Sequence, residues 1–132
     1  MTAETVVDMD CAGWDLAALV LWMDDDLDGQ VADLYKDQPL AQDWARVAKV
    51  AEEVGEAIAA LIGITGQNPR KGVYGTDDDL LDELADVALT GLYAMQHFIG
   101  GDGEQTIGRL LQRAKHHKAR RQAQIEGGDH GR

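Results

Sequence analysis

Apolar residues recur every three or four positions in several stretches of the chain, and nowhere do they alternate as in a half-buried strand. The spacing predicts a first helix over about 12–23 ("AGWDLAALVLWM"), ended by the acidic stretch "DDDLDGQ", with room for another short helix before residue 39. A second helix is expected over about 40–63, where Trp44, Val47, Ala51, Val54, Ile58 and Leu61 form a stripe. It stops at "GITGQNPRKGVYG", whose Gly, Asn and Pro are loop residues. Thr76 or Asp77 can cap a third helix over about 77–99, with Leu80, Leu84, Val87, Gly91, Met95 and Phe98 as its stripe. "GGDGEQ" breaks it, a basic fourth helix follows over about 104–123, and the Gly-rich end "EGGDHGR" should fray. The expected fold is an all-α four-helix bundle in one domain, 1–132, with its core in about 12–123 and flexible termini.

Charged positions complicate this pattern. "KVAEEVGEA" (49–57) packs Glu52, Glu53 and Glu56 into little more than one turn, with only Lys49 nearby to neutralise them. Glu53 and Glu56 share one face of helix two, and Glu83 and Asp86 share one face of helix three. At about 100° per residue both pairs lie away from the apolar stripes, as acids on a solvated face would. The residues C-terminal to each pair do not look like a solvent face. No charge occurs between Glu56 and Arg70, and the side of helix three beyond Asp86 continues through Leu89, Thr90, Tyr93 and His97. The acids therefore stand at one end of a second, largely apolar face that another helix, a partner subunit or a ligand must cover.

Two like charges about 4 Å apart repel by roughly 1 kcal/mol in water and about 4 kcal/mol at an effective dielectric near 20. Four or five carboxylates gathered in a half-buried pocket call for protons or a cation. Oxygen ligands without Cys or His select Mg²⁺, Mn²⁺ or Ca²⁺ over zinc. Two unrelated acidic faces remain the competing reading of the same spacing.

Composition narrows the partners. Acids outnumber bases 24 to 12 and the formal net charge is −12, a field that repels nucleic acid and anionic lipid and attracts divalent cations. Hydrophobic residues make up 45%, enough for a folded globule. Cys11 is the single cysteine, which forbids an internal disulfide, points to a reducing compartment and shows no sign of activation. The acidic start lacks the order of a signal peptide, and "LAALVLWM" is too short to span a bilayer, so the expectation is a cytoplasmic protein with no membrane partner.

"EEVGE" (52–56) followed by "ELAD" (83–86) resembles the E-E-x-x-E … E-x-x-D signature of the MazG-like all-α NTP pyrophosphohydrolases. "GQNPRKG" (66–72) between the halves is similar to a loop of small actinobacterial MazG-like proteins. The resemblance covers roughly 14–99. It implies a four-helix core assembled as a homodimer or homotetramer, and Mg²⁺-dependent hydrolysis of a (d)NTP to the monophosphate and pyrophosphate, with Mn²⁺ a possible substitute. By position it makes Glu53, Glu56, Glu83 and Asp86 metal ligands, and Glu52, with Glu53, catalytic, as an outer ligand or the base that activates water. Candidate substrate contacts are Lys49 and, in the loop after the first acidic pair, Asn68, Arg70 and Lys71. Such families often carry a Lys/Asn/Arg set near the last helix; "RLLQRAKHHKARR" supplies bases and no Asn. A dUTPase-like or phosphoribosyl-ATP pyrophosphohydrolase activity is close in chemistry. From another class, a catalytically silent helical dimer that binds metal or nucleotide fits the same residues.

Other signals carry less. "DDDLDG" (24–29) opens like a calcium loop, but Tyr35 stands where the bidentate Glu is required, leaving an acidic inter-helix loop. "GQNPRKG" lacks the ending of a phosphate-binding P-loop. His116 and His117 are neighbours and point about 100° apart, on a basic helix read as balancing an acidic assembly. Trp14, Trp22 and Trp44 suit the core or a subunit seam, and one could stack on a base. The charge-free second faces of helices two and three need burial, which predicts self-association.

Overall fold

Four helices follow one another in the computed structural model, which describes residues 9–128, with side chains from Asp15 onward: α1 (Met9–Tyr35), α2 (Pro39–Thr65), α3 (Asp77–Ile99) and α4 (Glu104–Gly128). The all-α expectation holds, and none of these helices is long and apolar enough to cross a membrane. Cys11 and Trp14 fall where side chains are outside the described residues, as do the last four residues of the chain.

Local chemistry explains α3 well. Asp79 N–H donates to Thr76 Oγ1 (3.2 Å), and Thr76 N–H donates to Asp79 Oδ2 (2.7 Å), a reciprocal cap that starts the helix after Thr76. Gly66, at φ 65°, closes α2 in the left-handed conformation that glycine tolerates. The two helices form an antiparallel hairpin. Near its apex Tyr74 N–H donates to the Gly63 carbonyl (3.0 Å), and at its open end Asp43 on α2 meets His97 on α3 (2.7 Å).

The acidic run 24–29 does not end the first helix, contrary to expectation; α1 continues through it to Tyr35, with no loop or separate short helix before residue 36. Long-range partners explain this. Arg46 Nη2 on α2 donates to Asp24 Oδ1 (2.5 Å) and Asp28 Oδ1 (3.0 Å), and Gln42 Nε2 also donates to Asp28 Oδ1 (2.6 Å). Helix α4 likewise runs past the expected residue 123, through Gly127 to Gly128.

The second correction concerns which faces are inside. The α2 stripe read as its core-facing side is bare in the single chain: Trp44, Val47, Val54, Ile58 and Leu61 are 40–72% exposed. Leu84 and Phe98 of the α3 stripe are exposed too, and Trp22 and Trp44 lie outside the core. Instead α2 buries Arg46, Glu53, Ala57 and Gly63. The reason is the placement of α1, which packs across the acid-bearing side of α3; α2 also packs closely on α3 but only lightly on α1. Of the three covers the second face required, another helix is the one present. The apolar core is small: Ala17, Val20, Leu92 and Ile107, with Leu16, Tyr93 and Met95 against them. From Gly108 onward every described residue of α4 is exposed, His116 and His117 included, and none of its bases makes an ion pair among the described residues.

Candidate metal and ligand site

The hairpin register brings the two acidic pairs to one level. Glu53 and Glu56 lie on α2 and Glu83 on α3, and each offers a carboxylate oxygen within 4.8 Å of the others. Glu53 is buried, Glu83 half-buried and Glu56 exposed, so the cluster runs from the interior to the surface. Glu83 Oε2 is shut off from solvent and has no hydrogen-bond partner. Burial first, then the charges of Glu56, Asp86 and Glu53, hold the Glu83 carboxyl above the ordinary carboxylate range. An orphaned buried oxygen among like charges is costly as it stands, and either a proton shared with Glu56 or a hard cation would satisfy it. Three carboxylates are a donor set that a hard dication, Mg²⁺, Mn²⁺ or Ca²⁺, would fit.

Asp86 is outside that tight set but beside it. It shares with Glu53 the wall of a cavity of about 460 Å³ between α1 and the hairpin. Most of the wall is apolar, from Met23, Leu27 and Val31 on α1 to Leu89 and Ala94 on α3. Its polar groups include Gln42, Arg46, Lys49, Thr90 and Tyr93. Burial, then Asp86, raises the Tyr93 hydroxyl above its usual pKa. An apolar chamber with acids at one side is the shape expected of a site for an organic molecule with a charged group.

Of the other residues singled out in the sequence, Glu52 is exposed and stands apart from the three-carboxylate set. Lys49 Nζ reaches both Glu52 Oε1 (2.9 Å) and Glu53 Oε1 (3.1 Å), although lysine preceding glutamate is the weaker order on a helix. Asn68, Arg70 and Lys71 belong to the hairpin loop, where Lys71 N–H donates to the Asn68 carbonyl (3.0 Å). Glu83 is six residues into α3, so about 9 Å of helix separates its level from that loop. None of the three lines the cavity.

Sequence reasoning missed the polar network at the other side of the chamber. Arg46 joins Asp24 and Asp28, while His97 Nε2 meets Asp43 Oδ1 (2.7 Å) and its Nδ1 lies 3.7 Å from Asp28 Oδ1. The i,i+4 spacing of Asp24 and Asp28, matched by that of Gln42 and Arg46, was the available signal. Asp24, Asp28 and His97 could also converge on a metal, but the Arg46 guanidinium already occupies both carboxylates and opposes one.

No protein-family model, curated protein or solved structure matches this chain.

Proposed function

We propose that the chain is a divalent-cation-dependent nucleotide pyrophosphohydrolase of the MazG-like type, converting a (d)NTP to the monophosphate and pyrophosphate. The observation that carries this reading is the convergence of Glu53, Glu56 and Glu83 within 4.8 Å, beside a largely apolar chamber. Glu53, Glu56 and Glu83, with Asp86 next to them, would hold Mg²⁺ or Mn²⁺. A bound dication supplies charge neutralisation of phosphate oxygens and a lower pKa for water. The chain's own contribution is placement. Leu27, Leu89 and Tyr93 would offer the sugar and base a water-poor surface, with Glu53 and Asp86 on the same wall and Lys49 the exposed base beside them. In the reaction, water oxygen bonds to phosphorus, the anhydride P–O bond breaks, and pyrophosphate leaves with the electron pair. Glu52, exposed and 2.9 Å from the Lys49 ammonium, would act from outside the three-acid set as the base that takes the proton from water.

The exposed α2–α3 stripe supports self-association through that face, with nucleoside triphosphate as the small-molecule partner. The test is pyrophosphate release from a panel of NTPs and dNTPs with Mg²⁺. Activity abolished by EDTA, by Glu53→Gln and by Asp86→Asn is expected. Thermal stabilisation by Mg²⁺ with no turnover on any nucleotide would instead make the chain a silent metal-binding helical protein.

A further inference from the structure

Of the two bases on the chamber wall, Arg46 is anchored through Nη2, although its buried Nε and Nη1 have no partner. Its side chain is 9% exposed and its Nη2 bonds Asp24 and Asp28, so changing partners would strand a buried charge. Lys49 differs in each respect. Its side chain is 48% exposed, and its ammonium bridges Glu52 at the surface, a contact worth little, and Glu53, whose side chain is 11% exposed. One of those partners, Glu53, also belongs to the three-carboxylate set. The same lysine lines the chamber. It therefore stands at the seam between the acids and the space a ligand would fill, on a flexible stem with three donors.

We infer that Lys49 is a displaceable stand-in for the cation: it neutralises Glu53 while the carboxylates are empty, and is released toward the chamber, to meet a phosphate, when a dication takes Glu53. This rests on reading Glu53, Glu56 and Glu83 as a cation site. Two cations cannot share one carboxylate edge without repulsion, and Lys49 is the one that can move. The arrangement couples the two ligands in a definite order. The lysine opposes the metal by itself and favours metal plus phosphate together, so its removal has effects of opposite sign on the two binding events.

The experiment is calorimetric titration of wild-type, Lys49→Met and Lys49→Arg protein, first with Mn²⁺ alone and then, in saturating Mn²⁺, with a non-hydrolysable methylene analogue of a nucleoside triphosphate. Lys49→Met is expected to bind Mn²⁺ alone at least about threefold more tightly, because a nearby positive charge has gone. It should bind the analogue about tenfold more weakly, having lost a charge-assisted hydrogen bond. Lys49→Arg should resemble wild type in both. Without metal, Lys49→Met should melt somewhat below wild type, because it leaves the buried Glu53 carboxylate without its cation, and Mn²⁺ should close that gap. Unchanged or weaker Mn²⁺ binding by Lys49→Met overturns the inference while leaving the cation site standing. Weaker analogue binding without the gain for Mn²⁺ overturns it too, making Lys49 a fixed phosphate contact. Absence of Mn²⁺ uptake by the wild-type chain removes both this inference and the metal-dependent function beneath it.

Discussion

Arg46 on α2 and Asp24 on α1 form an ion pair at 2.5 Å with both side chains 9% exposed, 22 residues apart in the chain. It is the strongest polar tie between two helices that otherwise touch little. Burial raises the Asp24 carboxyl above its ordinary range even with Arg46 pulling the other way, so the aspartate depends on that arginine to remain charged. Arg46→Met is expected to cost about 3–5 kcal/mol, because it leaves a buried carboxylate alone. Asp24→Leu combined with Arg46→Met should recover most of that loss. Urea denaturation of the two variants checks both values.

The contrast between α1 and α3 shows how far the sequence could be read. Helix α3 was legible end to end because its signals are local: Thr76 with Asp79 at the start, Gly100 at the end. Helix α1 was not, since what lets residues 24–28 stay helical is supplied by Gln42 and Arg46 from another element. The acidic pairs were found because i,i+3 spacing fixes a face. Which face points inward was misread for a physical reason: counting apolar residues favours the Trp44–Leu61 stripe, whereas α1 packs over the side that carries Glu53 and Tyr93. Helix packing, unlike helix period, is not written in a single segment.

Glu83 gives a prediction for pH. A carboxyl whose folded pKa is raised binds its proton more tightly when folded, so its contribution to stability is complete below the ordinary glutamate value and is lost as pH rises through the raised one. In EDTA, Glu83→Gln should melt with wild type near about pH 4 and increasingly above it toward neutral pH, since glutamine carries no proton to lose. Added Mg²⁺ should close that gap by stabilising wild type and not the variant. Parallel melting curves across pH, with no divergence, would contradict the crowding of Glu53, Glu56 and Glu83.

The bare stripe on the hairpin predicts an assembly. Trp44, Val47 and Phe98 line one apolar surface hollow, and Val54, Ile58 and Leu61 extend the same face of α2. So much contiguous apolar surface is uncommon on a stable monomer. Wild-type protein is expected to be a dimer or tetramer by light scattering at micromolar concentration, and Trp44→Lys with Ile58→Lys to shift it to monomer. A monomeric wild type would show that the face stays exposed.

Gly63 packs against Tyr74 near the apex of the hairpin that carries the acidic cluster. A Cβ at that position would lie 2.7 Å from Tyr74 Cε2 and 2.9 Å from the Tyr74 carbonyl oxygen, both too close for ordinary contact. Two effects of Gly63→Ala compete. Alanine favours the helix over glycine by about 0.5–1 kcal/mol, while overpacking costs about 1–3 kcal/mol. The second wins because one of the clashing atoms is backbone and also belongs to the residue whose N–H donates to Gly63 (3.0 Å), so it cannot retreat without loosening that bond. Gly63→Ala should therefore be destabilising in urea titration. Adding Tyr74→Ala should relieve the ring contact but not the carbonyl one, restoring only part of the loss. Because Glu56 and Glu83 lie on the two arms of this hairpin, Mn²⁺ affinity measured by calorimetry should fall in Gly63→Ala and remain low in the double variant.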